Sequence, residues 1–393
     1  MKILMVLTEE FPPDDRVEKE ALALIERGHE IIIACQTLKK IKRQEIYKKI
    51  IIERLYMSRL MYKLSVAALI VPFYFTFWYN FLKRLHKKYQ FDVVHVHDLP
   101  LTKVGNQLSR KYGLKLVCDQ HEFYSNWIVH TAHMNKGIGK IINLLSNWKK
   151  YEKKYLKKAD LVITIEEPLR KNYIEHAGIK PEKIILVPNT PSKKVFNEQN
   201  VKTSIKEKYK DNFVLFYAGG IDILRGINII IESLPVIKKH IPEIKFIFAG
   251  IIRKGCDPVK LAKKLKVEDN IEFLGWIDIQ EIPSYINASD ICLHVPPVIR
   301  DETNLTIATK IFQYIAMEKP VIVGQAKLMK KLVTENNLGL AIKDNDHKDL
   351  ADKIIHLYNN PDVLQNFSYN CKKIKSQFIW EVTIKNLIQF YDQ

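Results

Sequence analysis

"FVLFYAGGIDILRG", residues 213–226, is the stretch on which the fold turns. An apolar run, Phe213 to Ala218, meets Gly219 and Gly220; Arg225–Gly226 then opens a helical pattern. A continuous apolar run feeding a helix reads as one unit of a parallel sheet covered on both faces. Glycines at such a junction let backbone N–H groups approach a phosphate. Yet the spacing matches neither the dinucleotide fingerprint nor the phosphate loop of nucleotide hydrolases. The turn aims N–H groups and a guanidinium at one point, which suits a diphosphate. A tight turn whose arginine sits in solvent is the bland alternative.

The same alternation recurs along the chain. "KILMVL", "EIIIAC", "DVVHVH", "LKLVCD", "DLVITI" and "KIILVP" form one set of strands; "FVLFYAG", "KFIFAG", "IEFLG", "DICLHV" and "PVIVG" form a second. Right-handed crossovers then predict an α/β protein of two doubly wound domains. The lysine-rich stretch 190–212 marks the boundary, giving domains 1–190 and 191–376. The terminal "FIWEVTIKNLIQFY" carries Ile379, Val382, Ile384, Leu387, Ile388 and Tyr391 near one stripe. It predicts a single helix, with residues 377–393 crossing back to the first domain.

A chain of 393 residues with 47% hydrophobic and 27% charged residues is globular and too long for one core. The net charge of +18 reads either as solvated helix faces or as attraction to an anionic partner. Cys35, Cys118, Cys256, Cys292 and Cys371 are scattered without metal-like spacing and read as reduced thiols of a cytoplasmic protein. "MKILMVL" meets two glutamates at once and reads as a first strand, not a signal peptide.

Ser65 to Leu82, "SVAALIVPFYFTFWYNFL", nearly reaches the ~20 apolar residues of a membrane span. A crossing would separate "KILMVL" and "DVVHVH", which belong to one sheet. Two readings remain: a buried helix, or an aromatic surface in the membrane interface with "KRLHKK" (Lys83 to Lys88) on anionic headgroups. The second is favoured, so residues 65–88 are expected to hold the protein peripherally at the inner face of the cell membrane.

A second constellation is "NLTIATKIFQYIAMEKPVIVG", residues 304–324. Ile307, Ile311, Phe312 and Ile315 recur at helical spacing, and Thr303, Asn304 or Thr306 can cap the start. Lys310 falls in the first turn, where a helix attracts anions. Gln313, one turn on, can reach a ribose hydroxyl. An ordinary amphipathic helix with a polar face is the plain alternative. "DND" (Asp344–Asp346) has an Asp-x-Asp spacing that can hold a metal, but it precedes a helix and reads as its cap.

Together these stretches resemble the retaining glycosyltransferases of family 4, which have the GT-B fold of two Rossmann-like domains facing a cleft. "PPDDRVEKEALALIERGHEIII", "FDVVHVHDLPL", "KLVCDQHEFY" and "WEVTIKNLIQFY" resemble further family segments in order and spacing. The resemblance implies a nucleotide-diphosphate-sugar donor in the second domain, with Gly219, Gly220, Arg225, Asn304, Thr306, Lys310 and Gln313 around it. Gly220 stands where many members place a second arginine. Gln313 replaces the second glutamate of the family's Glu-x7-Glu motif, and Leu305 the first, with Glu302 out of register. His97 matches a histidine close to donor sugar and acceptor; a strand-end cap is its other reading.

Catalysis is thus expected from His97, Arg225 and Lys310. Arg16, Asp98, His121 and Glu122 are expected on the acceptor side, with Asp14 and Asp15 as weaker candidates. The resemblance implies no metal and no cofactor, and a glycan or lipid-linked acceptor in polysaccharide or lipid-linked glycan synthesis. An epimerase of the same fold and a catalytically impaired binding member are the alternatives. No nucleic-acid partner is expected, because the positive charge is dispersed.

Overall fold

The computed structural model describes residues 1–65, 68–69, 73–128, 145–299 and 301–393. It divides into two compact units: Met1–Pro188 with Ile384–Gln393, and Asn189–Thr383.

Among the described residues, unit 1 holds eight strands: β1 (Lys2–Val6), β2 (Glu30–Thr37), β3 (Gln44–Tyr47), β4 (Ile50–Tyr56), β5 (Val93–His97), β6 (Lys115–Gln120), β7 (Leu161–Thr164) and β8 (Ile184–Leu186). Their order is β3-β4-β2-β1-β5-β6-β7-β8. All neighbours are parallel except β3 and β4. Ile3, Leu4, Met5 and Val6 are all fully buried, because helices cover both faces of the sheet. The helix Asp15–Glu26 links β1 to β2. Asp14 caps it by accepting the Val17 N–H, and Asp15 and Glu18 sit at its positive end.

The helix Phe73–Tyr89 buries Tyr74, Phe75, Trp78, Phe81, Leu82 and Leu85 along one stripe. Trp78 is completely buried. The aromatic face expected in a membrane interface is therefore core for Tyr74 and Trp78, since the amphipathic helix has a protein surface to cover. Residues 66, 67 and 70–72 of that stretch lie outside the described residues. Among the described residues, no helix is long and apolar enough to cross a membrane.

Unit 2 holds six parallel strands: β9 (Phe213–Ala218), β10 (Ile244–Ala249), β11 (Ile271–Gly275), β12 (Ile291–His294), β13 (Val321–Val323) and β14 (Gly339–Ala341), in the order β11-β10-β9-β12-β13-β14. Two hydrophobic cores flank this sheet. Leu215, Tyr217, Phe246 and Phe248 enter one; Val214, Phe216, Ala218 and Ile247 enter the other. The period-2 alternation of a strand thus feeds two apolar layers, and each fully buried Ile or Val side chain contributes about 1.5–3 kcal/mol.

The expected terminal helix is broken. Trp380–Thr383 stays in unit 2, where the Trp380 N–H bonds Pro191 O and the Glu381 carboxylate accepts from Ser192 and Lys193. Lys385–Tyr391 belongs to unit 1, with Leu387 and Tyr391 buried. The apolar stripe is shared between two cores, so the helix yields at Ile384 and leaves Val382 exposed.

Candidate active site

In unit 2 the site grows from the junction after β9. Gly219 has φ +133°, a conformation that side chains other than hydrogen rarely adopt. A Cβ there would also lie 2.6 Å from Lys310 Nζ, so the glycine makes room for the lysine. That ammonium sits 4.0 Å over the Tyr217 ring, while the Tyr217 hydroxyl donates to Gly220 O at 2.9 Å. Beyond the glycines, the Asp222 carboxylate accepts the Leu224 N–H and starts the short turn Ile223–Arg225, leaving Arg225 exposed.

Lys310 lies in the first turn of the helix Thr309–Ala316. The cap expected from Thr303, Asn304 or Thr306 is not made. Residue Ala308 occupies the cap position without a side-chain hydrogen bond, and residues 301–304 wind into a separate turn. Asn304 Oδ1 instead accepts the Lys327 N–H at 2.8 Å, at the head of the next helix. The first N–H groups of Thr309–Ala316 therefore remain without a side-chain cap, as an anion-binding helix end requires. Thr306 and Gln313 are half-buried before and within this helix. The Glu302 side chain lies outside the described residues. Asp346 does cap the helix His347–Asn359, accepting from Lys348 and Asp349.

The electrostatics of this site are one-sided. Burial and the Arg225 guanidinium push the Lys310 ammonium well below its ordinary value. His294, at the end of β12, is held neutral by burial and by the same two cations. Its Nδ1 has no hydrogen-bond partner. Among the described residues, no carboxylate lies within 4.0 Å of Lys310 or Arg225. Positive groups that repel each other are stabilised by an anion. The sequence reading found Lys310 and Arg225 but missed His294, which it treated only as part of a strand.

In unit 1 the ends of β5 and β6 build a different arrangement. Arg16 forks onto Asp119, with Nε and Nη2 each 3.0 Å from a carboxylate oxygen. Its Nη1 donates to Val187 O at 2.9 Å, and Nη2 lies 3.1 Å from Glu20. His121 Nε2 is 2.8 Å from Asp119 and 3.2 Å from His97 Nδ1. His95 stacks on His97 at 4.5 Å and bonds the Tyr391 hydroxyl at 3.0 Å. The acceptor-side candidates Arg16, Asp98 and His121 thus lie with His97 in one network, Arg16 inside it and only 4% exposed. Glu122 is exposed.

Charge in this network is internally answered. Burial opposes charging of His121, but Asp119 and Asp98 overcome it and raise the imidazole to about 9. Burial likewise opposes the Asp119 carboxylate, and Arg16 and His121 hold it well below the usual range. Glu20 is pushed well above its ordinary value by burial and by Asp119. His97 is lowered, chiefly by burial, so its imidazole is neutral. Donor atoms of Glu20, His95, His97 and Asp119 lie within 4.8 Å of one another, with the Arg16 guanidinium already against both carboxylates. Asp98, directly after His97, has φ +62°, a strained backbone of the kind found at functional sites. Asp119 was missed as the partner of Arg16 because nothing local announces a pairing across 103 residues, and Glu20, four residues from Arg16 on one helix, was passed over as part of an ordinary helix face.

Two doubly wound units give the GT-B fold, and the second carries a cationic turn beside a helix N-terminus with no carboxylate within 4.0 Å among the described residues. The family described as Glycosyl transferases group 1 matches residues 198–374, and Glycosyltransferase Family 4 matches residues 16–190. The chain belongs to the group 1, family 4 glycosyltransferases. EpsD of Bacillus subtilis (strain 168), whose name places it among the glycosyltransferases, is 24% identical over 325 residues, 80% of this chain and 79% of EpsD. The alpha-monoglucosyldiacylglycerol synthase of Acholeplasma laidlawii is 23% identical over 329 residues, 78% of this chain and 77% of the synthase. Among solved structures, Anabaena Alr3699/HepE in complex with UDP shares the fold with a TM-score of 0.71 at 17% identity, covering 100% of both chains.

Proposed function

We propose that the protein is a retaining glycosyltransferase that moves a hexose from a nucleoside-diphosphate sugar to an acceptor hydroxyl. One observation carries the reading: Lys310, beside Gly219, and Arg225, whose charge acts on it, have no carboxylate within 4.0 Å among the described residues. A diphosphate supplies the charge they lack. In the reaction the sugar C1–phosphate oxygen bond breaks and the C1–acceptor oxygen bond forms on the same face. The acceptor proton passes to the leaving diphosphate, and Lys310, Arg225 and the free helix N–H groups stabilise its developing charge.

His97, neutral and at the end of β5, is suited to contact the reacting sugar or its acceptor, while Asp98 and His121 orient it. Asn304 serves the fold and is left out of the donor set. The acceptor we favour is a lipid or lipid-linked glycan. The relative named for a diacylglycerol glucoside supports this, as do the exposed Arg84 and Lys87, available for anionic headgroups at the cytoplasmic face.

The test is a panel of UDP-, GDP- and ADP-sugars against wild type and Lys310→Ala. Wild type is expected to bind one nucleoside diphosphate and transfer its sugar, with the product anomer read by NMR. Lys310→Ala should weaken diphosphate binding about 10- to 100-fold, the range of a bond to a charged group. A variant that binds as wild type removes the donor site as drawn; an inverted product anomer removes the retaining mechanism.

A further inference from the structure

The loops that follow β9 and β10 do not separate at the ends of their strands. Gly219 N–H donates to Ala249 O at 2.8 Å, Ile221 N–H to Ile251 O at 3.0 Å, and Arg253 N–H to Ile221 O at 2.9 Å. Ile221 and Ile252 form a parallel bridge. This continued pairing needs Gly250, because a Cβ there would lie 1.9 Å from Gly219 O. Its result is to carry residue 253 alongside the diphosphate turn.

The Arg253 side chain then lies across Gly220. A Cβ on Gly220 would meet Arg253 Nε at 3.3 Å and Nη2 at 3.8 Å. Gly219 needs its glycine for a left-handed backbone, but Gly220 is outside that region. What the missing side chain at 220 makes room for is a guanidinium from the neighbouring loop. Two adjacent glycines therefore each face a cation from elsewhere in unit 2: Lys310 at 219 and Arg253 at 220.

Arg253, like Lys310 and Arg225, has no carboxylate within 4.0 Å among the described residues. A diphosphate carries two to three negative charges over two phosphorus centres, more than one ammonium neutralises. A guanidinium adds a rigid planar fork with five donors, matched to two phosphate oxygens at once, where an ammonium is a rotatable point charge.

We propose that Arg253 is a diphosphate-binding residue, entering from the loop after β10 to occupy the space over Gly220. The inference rests on the nucleoside-diphosphate reading of this site. It assigns one phosphate-facing cation to each of three segments: the loop after β10, the turn Ile223–Arg225 and the head of the helix Thr309–Ala316.

The experiment measures binding of UDP, GDP and ADP, and of the corresponding monophosphates, to wild type, Arg253→Ala, Arg253→Gln and Gly220→Arg/Arg253→Ala. Arg253 is exposed, and circular dichroism melts check that the fold is kept. Arg253→Ala and Arg253→Gln are expected to lose about 10- to 100-fold in affinity for the preferred diphosphate, with a smaller loss for its monophosphate. Moving the guanidinium to residue 220, whose backbone accepts a side chain once Arg253 is truncated, is expected to regain at least tenfold of that loss. Wild-type diphosphate affinity in Arg253→Ala, or an equal loss for monophosphate and diphosphate, overturns the assignment. If Arg253→Ala is silent while Lys310→Ala is impaired, the donor site stands and only Arg253 leaves it. If wild type binds none of the three diphosphates, both readings fall together.

Discussion

The two clusters of charged residues at strand ends differ in one respect. In the unit 1 cluster both cations meet carboxylates: Arg16 has Asp119 and Glu20, and His121 has Asp119 and Asp98. In unit 2, Lys310, Arg225 and Arg253 have none among the described residues. The first cluster answers its own charge, because an unpaired buried ion is costly. The second is open and gains stability from a ligand. The presence or absence of a counter-charge tells them apart.

The sharpest way to break this contrast is Asp119→Asn. It keeps the shape and leaves Arg16 buried without its main partner. We expect unit 1 to lose about 3–5 kcal/mol in chemical or thermal unfolding. Nucleotide affinity should change little in protein that remains folded. A variant as stable as wild type would show that the unit 1 cluster is not a structural device.

A second measurement tests the open site through protons. The Lys310 ammonium is held well below its ordinary value in the free protein, and a bound diphosphate raises it again. The bound state then holds more protons. Affinity is therefore fullest below the free-site value and falls, by up to tenfold per pH unit, as pH rises toward the bound-state value. Calorimetry in buffers of different ionisation enthalpy reads the proton uptake directly. Binding with no uptake across that window means that the Lys310 charge is not what the ligand answers.

The smallest expected effect concerns Asn304, whose Oδ1 accepts the Lys327 N–H at the head of a helix. Asn304→Ala should cost about 1 kcal/mol of unit 2 stability and leave diphosphate affinity nearly unchanged. A loss of affinity with unchanged stability would return Asn304 to the donor site.

Both sheets were legible because parallel strands buried on two faces advertise themselves as unbroken apolar runs. The short β14 and the β3–β4 hairpin were not. The hairpin turn is Lys48–Lys49, with φ +48° and +69°, where a sequence reading looks for Asn-Gly. The helix Phe73–Tyr89 was visible as an aromatic stripe, but a stripe does not say whether protein or lipid covers it. Arg225 and Lys310 could be read because each opens a helical segment next to glycine or threonine signals. Arg253 could not, since "GIIRKG" carries no motif and reaches the turn only through pairing between loops 30 residues apart. Asp119 failed for the same reason: a charge pattern in one segment is silent about its partner in another.

Unit 1 is interrupted in sequence by the whole of unit 2, and its last piece is Ile384–Gln393. Tyr391, which bonds His95, therefore leaves the ribosome after every residue of unit 2. Folding during synthesis proceeds from the N-terminus. The sheet of unit 1 can assemble early, but its histidine cluster waits for the final segment before its last hydrogen bond closes. A nascent chain stalled just short of that segment would hold both sheets and still lack a finished first unit.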